Sequence, residues 1–135
     1  MKRLTIIIFL TLTINQIGLT QSRENRVYIK VDSIPEFVYS DCNNTKSCIE
    51  LYVKTNAQWP TDDDIIVTIY IQCIVEKNGK LTNFKVIRGL DEIYDKASID
   101  ILKSMPLWKP GMIKEKIVRT QITIPVKWDF LRTSI

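Results

Sequence analysis

The sequence predicts an α+β fold, a small two-layer domain with two helices on one face of an antiparallel sheet of about three strands. Three observations carry this. From Lys116 to Leu131, the residues Val118, Thr120, Ile122, Ile124, Val126, Trp128 and Phe130 are apolar or β-branched, whereas Arg119, Gln121, Thr123, Pro125, Lys127 and Asp129 are mostly polar. Alternation of this kind describes one long half-buried strand, because successive side chains point to opposite faces. A second alternating stretch runs from Ile65 to Val75 and meets Asn78-Gly79, a turn signal for a hairpin. Two further segments carry apolar residues at helical spacing. The order is then extended piece, helix, strand, strand, helix, strand, the pattern of an α+β layer.

Each element has its own justification. Val27 to Val31 alternates weakly, and Ser33-Ile34-Pro35-Glu36-Phe37 ends that piece in extended backbone, since a proline pushes its predecessor out of the helical region. Ile49, Tyr52 and Val53, with Leu51 beside them, place a short helix between Thr45 and Asn56. Trp59-Pro60 and Asp62-Asp63-Asp64 break the pattern, and the three carboxylates read as a solvated turn before they read as a metal site. A two-residue type I′ turn at Asn78-Gly79 would pair Cys73 with Phe84, Ile71 with Val86 and Arg88 with Ile69. Asp91 is a good N-cap for a second helix whose apolar stripe is Tyr94, Ala97, Ile101 and Met105, and Pro106 stops it. Leu107 to Gly111 is a stiff connection to the last strand, in which Pro125, having no N–H for a ladder, marks an edge.

The chain has 135 residues and a net charge of +4, of which Lys2 and Arg3 supply two. Those two begin a segment, Met1 to Thr20, that reads as a secretory signal: an apolar run from Leu4 to Ile14, then Gly18-Leu19-Thr20 before a cut at Gln21. A short N-terminal anchor is the competing reading. Residues 21–26 form a short linker and residues 27–135 one domain. The remaining charge of +2 and the lack of a basic cluster with interleaved aromatics argue against nucleic acid. A Cys42–Cys48 disulfide is expected to pin the start of the first helix, with two free thiols as the alternative, and Cys73 falls on the buried strand face. Asn43-Asn44-Thr45 matches a glycosylation sequon and reads as chance.

Several of these pieces together resemble the C-terminal domain of TonB, particularly versions from Bacteroidetes. They are Val75-Glu76-Lys77-Asn78-Gly79, Val86-Ile87-Arg88-Gly89, Asp95-Lys96-Ala97, the run Met105 to Gly111, and Ile124-Pro125-Val126, with Val31 to Phe37 similar to the family's entry segment. The resemblance spans roughly residues 27–130. It implies a small α/β unit that pairs, by strand addition to its last strand, with the TonB box of outer-membrane transporters. Carried over by position, the partner-binding residues are Val118, Arg119, Thr120, Gln121, Ile122, Thr123, Ile124, Val126, Lys127 and Trp128, together with Gln58, Trp59 and Pro60, which match the family's aromatic-proline pair.

Departures from the family shape the functional expectation. After Pro35-Glu36-Phe37 many relatives continue with proline and glycines, where this chain has Val38-Tyr39-Ser40-Asp41-Cys42. After Trp59-Pro60 relatives usually run through another helical turn, which Thr61 to Asp64 replaces. The family's energy-transducing anchor carries a histidine and is followed by a long proline-rich linker. This sequence has no histidine, and residues 21–26 extend to only about 20 Å. The expectation is therefore a periplasmic or exported accessory or adaptor, with a membrane-anchored transducer on the periplasmic side of the inner membrane as the alternative. A homodimer through the last strand is a further possibility for an open edge.

Catalysis, cofactors and a small-molecule substrate are not expected. A cysteine nucleophile needs a base, usually histidine, and the carboxylates form no recognisable acid–base pair or metal-ligand set. A secreted inhibitor or structural module with an unrelated partner is the remaining class.

Overall fold

A computed structural model describes residues 24–129. The proposed signal segment, residues 21–23 of the linker and Phe130 lie outside the described residues. The elements are β1 (Val27–Tyr28), α1 (Thr45–Asn56), β2 (Ile66–Val75), β3 (Leu81–Arg88), α2 (Glu92–Lys103), β4 (Gly111–Ile113) and β5 (Lys116–Asp129).

The strand order is β1-β5-β2-β3, with β4 pairing the beginning of β5. β5 runs antiparallel to β2 without a register shift, from Ile66 opposite Asp129 to Val75 opposite Thr120. The expected antiparallel sheet is therefore β3, β2 and β5. Two short strands add to it: β1 pairs in parallel with Arg119 and Thr120, and β4 pairs Gly111 with Val118 through Ile113 with Lys116. Strands of two and three residues are too short to show a period, which is why the sequence pattern does not reveal them.

The turn chemistry differs from the expectation. A type I′ turn needs positive φ at both central residues, and in the β2–β3 loop only Gly79 has it, at 84°. Gly79 N–H donates to Glu76 O and Glu76 N–H to Lys80 O, so the loop is Lys77-Asn78-Gly79, one residue longer than expected. Val75 consequently faces Leu81 and Ile74 faces Thr82. An irregularity beside Cys73, where Asn83 has φ 53°, restores the expected pairing of Ile71 with Val86. Cys73 opposite Phe84 is lost at that irregularity, and a second shift sets Arg88 opposite Tyr70 instead of Ile69. The two-residue loop with paired positive φ is instead Lys114-Glu115, at 48° and 67°, between β4 and β5. Asp32 Oδ2 accepts from Lys114 N–H at 2.7 Å, which holds a turn that these residue types disfavour by themselves.

Both helices are capped by their own sequence. Asn44 accepts from Ser47 N–H and Ser47 Oγ accepts from Asn44 N–H, a reciprocal capping box. α1 buries Cys48, Ile49, Tyr52 and Val53, while Leu51 stays near the surface. Asp91 accepts from Tyr94 N–H at the start of α2. The stripe of α2 is Tyr94, Ser98, Ile101 and Leu102, rotated from the expected one so that Ala97 and Met105 are only half-buried. The core is closed by Ile69, Ile71, Cys73 and Val75 of β2 and Ile124, Val126 and Trp128 of β5, with Phe37 stacked on Trp108. Complete burial of such side chains is worth roughly 1.5–3 kcal/mol each.

One close approach explains part of the quoted motif set. Trp108 N–H donates to Gly79 O at 2.8 Å, and a Cβ on Gly79 would run into Trp108 O. The run ending in Trp108-Lys109-Pro110-Gly111 thus reports packing of the connection onto the β2–β3 loop.

Candidate functional site

The last strand offers backbone on one side. Its pairing with β2 continues through Pro125, opposite Tyr70, although proline has no N–H. An unbroken antiparallel ladder tolerates this only where the residue's backbone groups face away from the partner strand. Residues at odd positions share that direction, so Thr123 and Lys127 aim their N–H groups at the side opposite β2. β1 takes this side only at Arg119 and Thr120. Among the described residues no strand pairs with the outer side of Thr123 to Asp129. The open edge is therefore shorter than the expected Val118–Trp128.

The remaining predicted residues divide by position. Val118 is covered by β4 and Thr120 is buried against Gly111. Arg119 holds the entry of the chain: Nε and an η nitrogen donate to Glu76 at 2.7 and 2.9 Å, and the other η nitrogen donates to Asn25 O at 2.7 Å. The Arg119 hydrogen bond leads the causes that hold the Glu76 carboxyl below its ordinary range, and Glu76 in turn raises Arg119. Ile124, Val126 and Trp128 are spent in the core, and Ile122 packs half-buried against it. Gln121 is half-buried, and Thr123 and Lys127 are exposed, Lys127 forming a surface pair with Asp129 at 3.0 Å.

Gln58-Trp59-Pro60 occupies a different place. Trp59 packs edge-on against Trp128 at 5.2 Å and against Tyr94 at 6.3 Å, so it reaches the end of β5 from the helix side. Gln58 and Pro60 are exposed and, with Ile93 and Ala97, line a cavity of about 570 Å³ beside α2. Trp59 belongs mainly to the aromatic cluster that closes the core, and the cavity beside it is separate from the open edge at Pro125.

A groove that sequence reasoning missed lies at that edge. Ile34, Phe37, Val38, the Cys42–Cys48 disulfide, Ile49 and Pro125 enclose about 660 Å³. The disulfide, with Cα atoms 5.3 Å apart, ties the loop after Phe37 to the first turn of α1. The only signal in the sequence was the pair of large apolar residues flanking Pro35-Glu36-Phe37.

Other candidate chemistry resolves into structure. Cys73 is fully buried, and burial pushes its thiol up to about 12. Asp62 to Asp64 lie in the irregular segment between α1 and β2, and no group of His, Cys, Asp or Glu that could hold a metal occurs among the described residues. Nor is any helix among the described residues long and apolar enough to cross a membrane.

Fold and site together define an α+β protein-interaction domain. Residues 67–130, from β2 to the end of β5, match the family described as the Gram-negative bacterial TonB protein C-terminal domain. That segment, just under half of the chain, is what the TonB C-terminal domain family shares with this protein. That family is one of protein-interaction domains, not of enzymes; its members are periplasmic and generally interact with outer-membrane TonB-dependent transporters. The match leaves β1, α1, the disulfide and Trp59-Pro60 outside it. No curated protein and no solved structure gave a significant match.

Proposed function

We propose that this domain binds the TonB box of an outer-membrane transporter by strand addition to the open edge of β5, as a periplasmic or exported accessory or adaptor. Met1 to Thr20 would serve as its removable signal. The observation that supports this most is the outer side of Thr123 to Asp129, whose N–H and C=O groups meet no other strand among the described residues. Strand addition takes its affinity from such groups and its specificity from alternate side chains.

The test is titration with a synthetic TonB-box peptide followed by amide chemical shifts. Shifts are expected from Gln121 to Asp129 and not along β3. Thr123→Pro removes an outward donor without touching the ladder to β2, and should weaken binding about tenfold, the size of one lost hydrogen bond together with local crowding. Lys127→Glu alters only an exposed side chain and should cost less than about threefold. Equal losses from the two changes would count against strand addition.

A further inference from the structure

We infer that the groove between Pro125 and the Ile34–Val38 segment receives one large apolar side chain of the docked strand. This rests on the strand-addition reading and adds to it a side-chain requirement. The pyrrolidine ring of Pro125 occupies the place of its missing N–H and so lies along the open edge. The same ring lines the groove together with Phe37, Val38, the Cys42–Cys48 disulfide and Ile49. The groove therefore opens where a strand added to β5 would run, on the side of the sheet that carries α1. Every second residue of that strand faces this side.

The chemistry of the walls selects an apolar occupant. Ile34 and Val38 both line the groove and are each 71% exposed, so both have apolar surface left to cover. Of the polar residues in the lining, Asn44 is engaged by the α1 capping box and Thr45 Oγ1 accepts from Phe37 N–H at 3.2 Å, while Asn43 and Lys46 stand exposed on the α1 side. Glu36 is paired with Lys109 at 3.7 Å. Against the wall formed by Ile34, Phe37, Val38, Ile49 and Pro125, a charged or strongly polar side chain would find little to replace its water.

The occupant is a partner's extended peptide and not a second copy of this chain. A second β5, paired symmetrically, would turn Ile124, Val126 and Trp128 toward the groove side. Those residues are fully enclosed in their own core and have nothing to insert.

The experiment uses the full chain and a synthetic TonB-box peptide of an outer-membrane transporter, with a peptide series carrying serine at each position in turn. Val38→Ser and Ile34→Ser alter exposed side chains and leave the fold intact. The expected result is about tenfold weaker binding to Val38→Ser, and one apolar peptide position whose serine version binds the native and Val38→Ser proteins alike. Unchanged affinity for both protein variants, with shifts still present at Gln121 to Asp129, would overturn the groove while leaving strand addition standing. No binding and no shifts along β5 would overturn both.

Discussion

Ser98 is fully buried in the middle of α2, and its hydroxyl is used twice. It donates to Tyr94 O at 2.7 Å and accepts from Trp128 Nε1 at 2.8 Å. The indole of Trp128 also meets Tyr94 and Trp59 edge-on, so the last strand is locked to α2 through one polar contact inside an aromatic cluster. Ser98→Ala keeps the volume almost unchanged but leaves a buried indole N–H without an acceptor. The expected cost is about 1–3 kcal/mol in urea unfolding, with little change in the slope of the transition. A cost below about 0.5 kcal/mol would mean that the indole finds another acceptor. Trp128 was legible in the sequence from its place in an alternating strand. Ser98 was not, because a serine within an apolar stripe looks like solvent exposure until the partner across the core is known. The contacts of Arg119 were not legible for a related reason: period two assigns a face, whereas its ion pair with Glu76 and its bond to Asn25 depend on where a distant loop and the chain entry come to lie.

The elements with long periods were read with nearly their observed bounds. α1 occupies Thr45–Asn56 as expected, and the Ile71–Val86 pairing survives two irregularities of the hairpin. What escaped was local turn geometry, since Asn-Gly signals a tight turn without deciding between loops of two and three residues. Lys114-Glu115 carries no such signal and depends on Asp32 for support. The segment 32–44 was legible only as extended and then irregular, yet it forms the groove wall. Its rigidity rests on the Cys42–Cys48 bond, which closes a short loop onto α1. Replacing both cysteines by serine should lower stability by about 2 kcal/mol, the loop-closure value for so short a loop. The same replacement should weaken a peptide that needs the groove more than one that uses the edge alone. Chemical unfolding of the native and doubly substituted proteins under non-reducing conditions gives the first quantity directly. A difference near zero would show that α1 and its capping box fix the loop without the bond.

Among the described residues the sheet has two outer sides, and each is protected by a different device. β3 is bent by two register shifts and a left-handed Asn83, which spoil it as a template. β5 pairs with β2 without a register shift, and its outer side would be an efficient template for self-association were it not for Pro125. The proline withholds one donor from the middle of the open edge without disturbing the ladder behind it. Any strand that bonds at both Thr123 and Lys127, whether a peptide or a second copy, does without that central bond. Pro125→Thr supplies that donor and introduces a residue that suits a strand, so the variant should keep the fold and the Tyr70 register. It should also self-associate at concentrations where the native domain remains a monomer, and bind an added peptide a few-fold more tightly. Sedimentation velocity of the two proteins over a common concentration series reads the first effect, and peptide titration at the dilute end reads the second. If both proteins stay monomeric and bind alike, the edge is not limited by its missing donor. Selectivity would then lie in the groove walls instead of in the backbone.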